Sequence, residues 1–156
     1  MIYDIMDSQL GPILVAKDEQ GVRHISFNQG IDPLVIDPAW KRDAKKLKFV
    51  TDQLEAYFAG ELTDFEVDFA PRGTPFQQKV WAALCQIPYG RTTSYLDIAR
   101  AVGNEKACRA VGGANGKNPI PIIIPCHRVI GKSGKLVGFS SGLDIKARLL
   151  KLESKQ

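Results

Sequence analysis

A short apolar segment in the C-terminal half is interrupted by prolines, and this limits what the chain around it can form. Residues 118–130 have the sequence N-P-I-P-I-I-I-P-C-H-R-V-I. Proline has no amide hydrogen and its ring clashes with the preceding helical turn, so this segment is too stiff for a helix. Its isoleucines favour burial. We therefore expect a buried, extended segment that ends at Cys126.

The end of this segment joins a cysteine to two basic side chains. Cys126 is followed directly by His127 and Arg128. Thiolate is the reactive form of cysteine, and a nearby cation or imidazole favours it. A helical turn there would bring the imidazole towards the sulfur and present backbone N–H groups to it, whereas a straight strand would separate the two side chains. The alternative is that Cys126 is a buried structural thiol. We interpret the other two cysteines, Cys85 and Cys108, in this way.

The charge of the chain changes sign at residues 71–73. Residues 1–75 carry a net charge of −5, and residues 76–156 carry +9. This asymmetry predicts two structural units, residues 1–72 and residues 73–156. The basic unit is the candidate to meet an anion such as nucleic acid, although many basic faces are only solvated.

The first unit has the pattern of a small sheet followed by a helix. Turn signals separate three β-prone runs, and an apolar stripe at helical spacing follows them. Phe65, Val67 and Phe69 then alternate with acidic residues, which predicts a half-buried strand. The other predicted elements are strands at Ile2–Met6, Pro12–Lys17 and Val22–Phe27, and a helix at Asp43–Ala59.

The second unit is mainly helical. Thr74 and the proline after it start one helix, Ser94 caps a second, and a third runs over residues 106–115. Two short helices joined by a glycine-containing turn form a helix-turn-helix, although ordinary helical hairpins share this pattern. The third helix is rich in small residues, which permit close approach to a surface or tight packing. Its one long interior cation, Arg109, is either functional or part of a surface ion pair.

Several classes of protein are excluded by what the sequence lacks. No apolar run approaches the roughly 20 residues that span a bilayer. The N-terminus carries acids where a signal peptide is basic, so we expect no leader and a cytoplasmic location. Three scattered cysteines and two histidines provide no zinc-site spacing, and no nucleotide-binding motif is present. We therefore expect no metal and no cofactor.

The run P-C-H-R-V-I at 125–130 resembles the active-site signature of the O6-alkylguanine-DNA alkyltransferase family, the methylated-DNA–protein-cysteine methyltransferases. The likeness is specific over about residues 73–153 and diffuse before them. It includes G-T-P-F-Q at 73–77, V-W at 80–81, I-P-Y-G at 87–90, S-Y at 94–95, R-A-V-G at 109–112, N-P at 118–119 and G-F-S at 138–140.

The resemblance implies a role for each matched residue of the reaction centre. Cys126 would accept the alkyl group, His127 would act as base through a water, and Glu153 would orient and polarise His127. The Glu153 side chain would lie near the end of a predicted helix over residues 141–153. Tyr95 would help rotate the DNA phosphate and protonate guanine N3. Asn118 would brace the site through hydrogen bonds.

The resemblance also implies contacts to DNA and to the flipped base. Arg109 would fill the place that the base leaves in the stack. The other DNA contacts implied are Tyr95, Thr93, Ser94, Ala107, Ala110, Gly112 and Arg128. The pocket for the base would involve Trp81, Val129, Phe139 and Ser140. Phe139 stands where some members have tyrosine, and Ser141 replaces a common glycine.

The implied protein is an α/β (α+β) monomer with a ribonuclease-H-like N-terminal domain and a winged-helix-like C-terminal domain carrying the helix-turn-helix. It would bind double-stranded DNA through the minor groove and flip out the damaged base. It would then move a methyl or larger alkyl group from O6 of guanine, and from O4 of thymine, irreversibly to Cys126. Because a thioether has no leaving group that water can use, each molecule would act once.

Three other functions remain as alternatives. A non-catalytic relative that only binds alkylated bases would lack the acceptor cysteine, which is present here. A transcription factor would need base-reading polar side chains on the recognition helix, where this chain has alanine and glycine. A cysteine hydrolase would not explain why the chain has a DNA-binding unit.

Overall fold

The N-terminal half forms a four-stranded sheet in a computed structural model that describes residues 1–28, 33–131 and 142–154. The strands β1 (Ile2–Met6), β2 (Ile13–Asp18) and β3 (Gly21–Phe27) are antiparallel neighbours, as the three β-prone runs predict. A short strand, β4 (Lys41–Arg42), pairs in parallel with β1. The order β3-β2-β1-β4 places β2 inside the sheet, and Ile13–Ala16 are fully buried.

Helix α1 (Ala44–Phe58) packs against β1 and β2. Asp43 caps its first turn by accepting a hydrogen bond from the Lys46 amide. Leu47 and Leu54 are fully buried on the face that meets the sheet. The helix predicted over residues 43–59 is therefore confirmed, with its two outer residues acting as caps.

The predicted strand around Phe65–Phe69 is wrong. The segment makes a single bridge to β3, in which the Val22 amide donates to the Asp68 carbonyl and Val22 accepts from Ala70. Gly21, with φ +134°, permits this close approach, because a Cβ there would clash with the Asp68 backbone. Alternation of apolar residues was misleading here, because Phe65 and Val67 pack against the core from a loop and Phe69 is exposed.

The C-terminal half contains four helices and a small two-stranded sheet among its described residues. Helix α2 (Pro75–Leu84) begins with a Thr74–Gln77 capping box, and Ser94 caps α3 (Tyr95–Ala101). Helices α3 and α4 (Cys108–Gly116) pack together as the predicted helix-turn-helix, while α5 (Leu143–Ser154) ends the described chain. The parallel strands are β5 (Thr93–Ser94) and β6 (Val129–Ile130).

The segment before Cys126 is buried as predicted, but it is not extended. The Ile124 amide donates to the Ile120 carbonyl and closes a tight turn, in which Ile122 has φ 76°. A residue with a branched side chain rarely takes this conformation, so the surrounding packing must hold it. Ile120, Ile122 and Ile124 are each at most 1% exposed.

The two halves share one hydrophobic core. A single cluster of buried residues includes Leu47 and Tyr57 of α1 together with Trp81 of α2 and Leu149 of α5. The backbone also joins the halves, because the Ile25 amide of β3 donates to the Pro119 carbonyl. The first unit is therefore packed directly against the segment that carries Cys126.

Candidate active site

Cys126 is the first residue of a 3-10 turn formed by Cys126–Arg128, so of the two conformations that the sequence left open the chain has the helical turn. Its side chain is 4% exposed. Burial raises the pKa of the Cys126 thiol to about 11, so the group is protonated at neutral pH. Desolvation of the sulfur thus outweighs the groups around it that favour the thiolate. A base must remove the proton when the sulfur reacts.

Three kinds of group nevertheless favour the anionic form of Cys126. A hydrogen bond from Asn118, the positive charge of Lys146 and the backbone amides of Cys126 and His127 all lower its pKa. These groups only partly offset the burial. They would stabilise a thiolate at the moment when it forms.

Glu153 is the carboxylate at the centre of the site. It is 2% exposed near the end of α5. Burial alone would raise its pKa, but hydrogen bonds from His127, Arg128 and Tyr57 prevail and lower the pKa to about 2. Glu153 is therefore ionised at neutral pH and can only accept hydrogen bonds.

The ionised Glu153 fixes the tautomer of His127. Nε2 of the fully buried imidazole lies 2.7 Å from Glu153 Oε2, so this nitrogen carries the hydrogen. Burial lowers the pKa of His127, which keeps the ring neutral. Nδ1 then carries a lone pair, and this buried atom has no hydrogen-bond partner among the described residues. The site thus holds a neutral imidazole with an available basic nitrogen beside Cys126.

Arg128 occupies a different place from the one predicted. Its side chain is buried, with Nε donating to Glu153 Oε1 at 2.8 Å and an Nη atom donating to the Ile87 carbonyl at 2.7 Å. The guanidinium carbon also lies 5.6 Å from the centre of the Tyr89 ring. The prediction that Arg128 contacts DNA is therefore wrong in this conformation, because its guanidinium compensates the buried Glu153 charge.

Asn118 braces the segment that leads to Cys126. Its Nδ2 donates to the Ile124 carbonyl at 2.8 Å, and its Oδ1 accepts from the Ile120 amide at 2.9 Å. A second amide, Asn115, donates to the Cys126 carbonyl at 3.3 Å. Sequence reasoning did not single out Asn115, because an asparagine in a helix has no distinguishing local signal.

Tyr95 lies close to the reaction centre. It is half-buried at the start of α3, and its ring faces Gly112 of α4. Burial and the nearby Cys126 sulfur raise the pKa of its phenol. Tyr95 therefore keeps its proton beside Cys126 and can donate it.

The helix-turn-helix exposes one face of α4. Arg109 and Ala110 are exposed, and Ala107 and Gly112 are partly exposed. No ion pair of Arg109 lies within the described residues. The alternative that Arg109 serves a surface ion pair thus gains no support from the described chain.

Thr93 and Ser94 use their hydroxyl groups locally. Thr93 donates to the Asp97 carboxylate at 3.0 Å, and Ser94 accepts from the Asp97 amide at 3.0 Å. Both residues are half-buried. They position the first helix of the pair, and their contact with DNA stays a prediction.

Two of the predicted pocket residues lie within the described chain. Val129 is fully buried, and its carbonyl accepts a hydrogen bond of 2.5 Å from Nζ of Lys146. Trp81 is 2% exposed and donates from Nε1 to the Ala114 carbonyl at 2.9 Å, so it supports α4. Phe139, Ser140 and the neighbouring Ser141 lie outside the described residues.

Besides Asn115, sequence reasoning missed Tyr57 and Lys146 as site residues. Tyr57 of α1 donates to Glu153 Oε2 at 2.6 Å. Lys146 is fully buried on α5, and burial lowers its pKa to about 8. The helical period could have placed both on buried faces, but it could not identify Glu153 or Cys126 as their neighbours.

The other two cysteines are less buried than predicted. Cys85 is exposed just after α2, and Cys108 is partly exposed at the start of α4. The interpretation of Cys85 as a buried structural thiol is wrong, because the helix ends there and the side chain faces outward. Cys126 is the buried cysteine of the three.

The described residues offer no cluster of His, Cys, Asp and Glu that could hold a metal ion. Within the same ranges, every helix is too short or too polar to cross a membrane.

Family models match both halves of the chain. A model described as "6-O-methylguanine DNA methyltransferase, DNA binding domain" matches residues 75–155. One described as "6-O-methylguanine DNA methyltransferase, ribonuclease-like domain" matches residues 1–71.

Individual proteins resemble the chain over nearly its whole length. A methylated-DNA–protein-cysteine methyltransferase of Methanosarcina acetivorans is 54% identical over 153 residues, which are 98% of each chain. A protein of the same name from Mycobacterium tuberculosis is 49% identical over 97% of this chain and 91% of its own. The crystal structure of M. tuberculosis OGT in complex with DNA superposes with a TM-score of 0.92 at 46% identity, covering 99% of this chain and 94% of that one.

Proposed function

The chain belongs to the 6-O-methylguanine DNA methyltransferase family, and we propose that it repairs DNA by transferring an alkyl group from O6 of guanine to Cys126. The observation that carries this proposal is the buried Cys126 beside a neutral imidazole whose Nδ1 is free to accept a proton. O4-alkylated thymine has the same aryl ether chemistry and is a second substrate.

The reaction begins with proton removal from the thiol. His127 Nδ1 takes the Cys126 proton through a bridging water, and Glu153 stabilises the imidazolium that forms. The sulfur then attacks the alkyl carbon in line with the departing oxygen. A new S–C bond forms as the C–O bond to guanine breaks, and the electron pair of that bond leaves on the base.

Tyr95 supplies the proton that the leaving guanine needs at N3. The phenol is protonated beside Cys126 before the reaction, because burial and the nearby sulfur raise its pKa. The phenolate that the transfer leaves is reprotonated through solvent, and the proton that His127 took from the thiol balances it. The product is a neutral guanine and a thioether at Cys126. Since water cannot displace a thioether, each molecule reacts once and needs no cofactor.

The C-terminal half binds the DNA. We propose that α4 enters the minor groove, where Ala107, Ala110 and Gly112 permit close approach of the backbone and Thr93 and Ser94 lie alongside. Extrusion of a base costs a few kcal/mol. The exposed Arg109 offsets part of this cost by filling the gap in the stack.

The arrangement of the whole molecule follows from these roles. We propose a monomer with domains at 1–72 and 73–156, a division that the family-model matches at 1–71 and 75–155 support. All three cysteines are free, and an acceptor thiol requires a reducing compartment, which supports a cytoplasmic location.

Transfer of a labelled methyl group tests the proposed function. Duplex DNA with a tritiated O6-methylguanine is mixed with limiting protein, and the label bound to protein is counted over time. The proposal predicts that the count stops at one methyl group per protein molecule, with unmodified guanine left in the DNA. Continued turnover, or DNA binding without transfer by the native chain, would contradict it.

A further inference from the structure

Tyr57 joins the N-terminal half to the carboxylate of the reaction centre. The residue is fully buried on α1, 96 positions before Glu153 in the chain, and its hydroxyl lies 2.6 Å from Glu153 Oε2. Its ring packs edge-on against Phe58 and Tyr89 and tilted against Phe65. These contacts leave the phenol one orientation, with the hydroxyl directed at Glu153.

The phenol of Tyr57 can act only as a donor to Glu153. Burial and the Glu153 charge raise its pKa far above the ordinary value. The hydroxyl therefore stays protonated at every pH at which the protein is folded. Tyr57 does not supply a proton to the reaction, and its effect must pass through the carboxylate.

Glu153 Oε2 is shared between Tyr57 and the base of the reaction. This oxygen accepts from the Tyr57 hydroxyl, from His127 Nε2 at 2.7 Å and from an Arg128 Nη atom at 3.1 Å. Each donor draws negative charge towards itself, so the Tyr57 bond reduces the charge that remains for the imidazole. It also ties the oxygen to α1, whereas the other two donors belong to the 3-10 turn.

We propose that Tyr57 is a positioning residue, which fixes Glu153 Oε2 and thereby sets both the orientation and the basicity of His127. The inference rests on the proposed function, since it concerns the same alkyl transfer. It gives the N-terminal half a defined part in the reaction, because α1 contributes one of the hydrogen bonds that hold the base.

The sign of the effect follows from the charged groups around the base. Glu153 faces Tyr57 from α1 and Arg128 from the 3-10 turn, and Tyr89 faces both Tyr57 and Arg128. The positive charges of Arg128 and Lys146 also act on His127. Removal of the Tyr57 hydroxyl leaves all of these in place. More charge then remains on Oε2, the imidazolium is better stabilised, and the acid limb of the pH–rate profile moves to higher pH.

The test compares Tyr57→Phe with the native full-length chain in single-turnover methyl transfer. Tyr57→Phe keeps the buried ring and removes the hydroxyl alone. We expect rates about ten-fold lower on both duplex DNA and free O6-methylguanine, because Glu153 Oε2 and the His127 ring that it orients lose their fixed position. The acid limb should shift to higher pH, and the DNA affinity should not change. Tyr3→Phe, a hydroxyl deletion on β1, is the matched control and should leave the profile as it is. An unshifted acid limb would overturn the inference.

Two further variants separate positioning from stability. Site-specific 3-fluorotyrosine at position 57 keeps the hydroxyl and strengthens it as a donor, so the acid limb should move to lower pH. An acid limb that stays in place would contradict the inference. This result can be read even if Tyr57→Phe fails to fold. In a Glu153→Gln background, Tyr57→Phe should produce no additional slowing, whereas the same ten-fold loss there would refute action through Glu153. A native chain that transfers no methyl group at all would instead refute the proposed function.

Discussion

His127 and Glu153 share a buried hydrogen bond of 2.7 Å, although 26 positions separate them in the chain. The bond leaves Nδ1 of the imidazole as the basic atom beside Cys126. Because the thiol pKa is about 11, the reaction depends on this base at neutral pH. The pair is therefore the part of the site on which the rate should depend most.

Substitution of either partner should slow the reaction on every substrate. His127→Ala removes the base, and Glu153→Gln removes the charge that stabilises the imidazolium. A positioned base contributes about 10²–10⁴-fold, so we expect losses in that range on both duplex DNA and free O6-methylguanine. Single-turnover rates measure this, with circular dichroism to verify folding. A folded His127→Ala variant at native rate would show that another base serves Cys126.

Arg109 should be needed for duplex DNA only. Its proposed role is to hold the base extruded, and a free base needs no extrusion. Arg109→Ala should slow repair of duplex DNA strongly while leaving the reaction with free O6-methylguanine nearly unchanged. Arg100→Ala removes the same charge from α3, where Arg100 pairs with Glu105, and should alter neither rate. Equal losses on both substrates for Arg109→Ala would contradict the assignment.

Stability should fall in acid because Glu153 must take up a proton. Its pKa in the folded chain is about 2, below its ordinary value of 4.5, so the stabilisation is complete above pH 4.5 and is lost as pH falls towards 2. The shift corresponds to about 3 kcal/mol. The pKa of His127 is also lowered from its ordinary value of 6.5 by burial. The unfolded chain therefore takes up this proton first, so the free energy of unfolding begins to fall as pH drops below about 6.5. Urea unfolding across this range measures both.

Glu153→Gln is the control for that acid loss. The amide does not titrate, so the free energy of unfolding of this variant should change less between pH 4.5 and 2 than that of the native chain. Parallel curves for the two proteins would show that other carboxyl groups cause the loss.

Trp81 should stabilise the helix-turn-helix through its indole hydrogen. Nε1 donates to the Ala114 carbonyl of α4 at 2.9 Å in a buried place. Trp81→Phe keeps an aromatic ring but removes this donor, and we expect a loss of about 1–2 kcal/mol in the free energy of unfolding. Trp40→Phe, at a partly exposed tryptophan, should cost less. An equal loss in both variants would indicate that the smaller ring, and not the missing hydrogen bond, causes the destabilisation.

The local elements were predictable because their signals are local. Asp43, Thr74 and Ser94 each precede an apolar stripe at helical spacing, and each caps a helix in the structure. The fold class is confirmed with them. Cys126 and His127 could be proposed from the sequence as site residues, since a cysteine followed by a basic pair is visible within a few residues; their roles stay predictions.

The partners of Glu153 could not be predicted, because they meet only through tertiary packing. Tyr57 lies on another domain, and no spacing along the chain relates it to Glu153. Arg128 was misassigned to DNA since a cation in a basic half resembles a phosphate ligand until its burial is known. The turn at 120–124 was predicted as extended because prolines exclude a helix but do not select among the remaining conformations.

Cys126 is the proposed acceptor, and the residue that carries the transferred group after the reaction tests this assignment. After reaction with duplex DNA that contains O6-methylguanine, the protein is digested and its cysteine peptides are identified by mass spectrometry. We expect a methyl group on Cys126 alone, with Cys85 and Cys108 unmodified although both are more exposed. Methylation of Cys85 or Cys108, or transfer that persists in Cys126→Ala, would contradict the assignment.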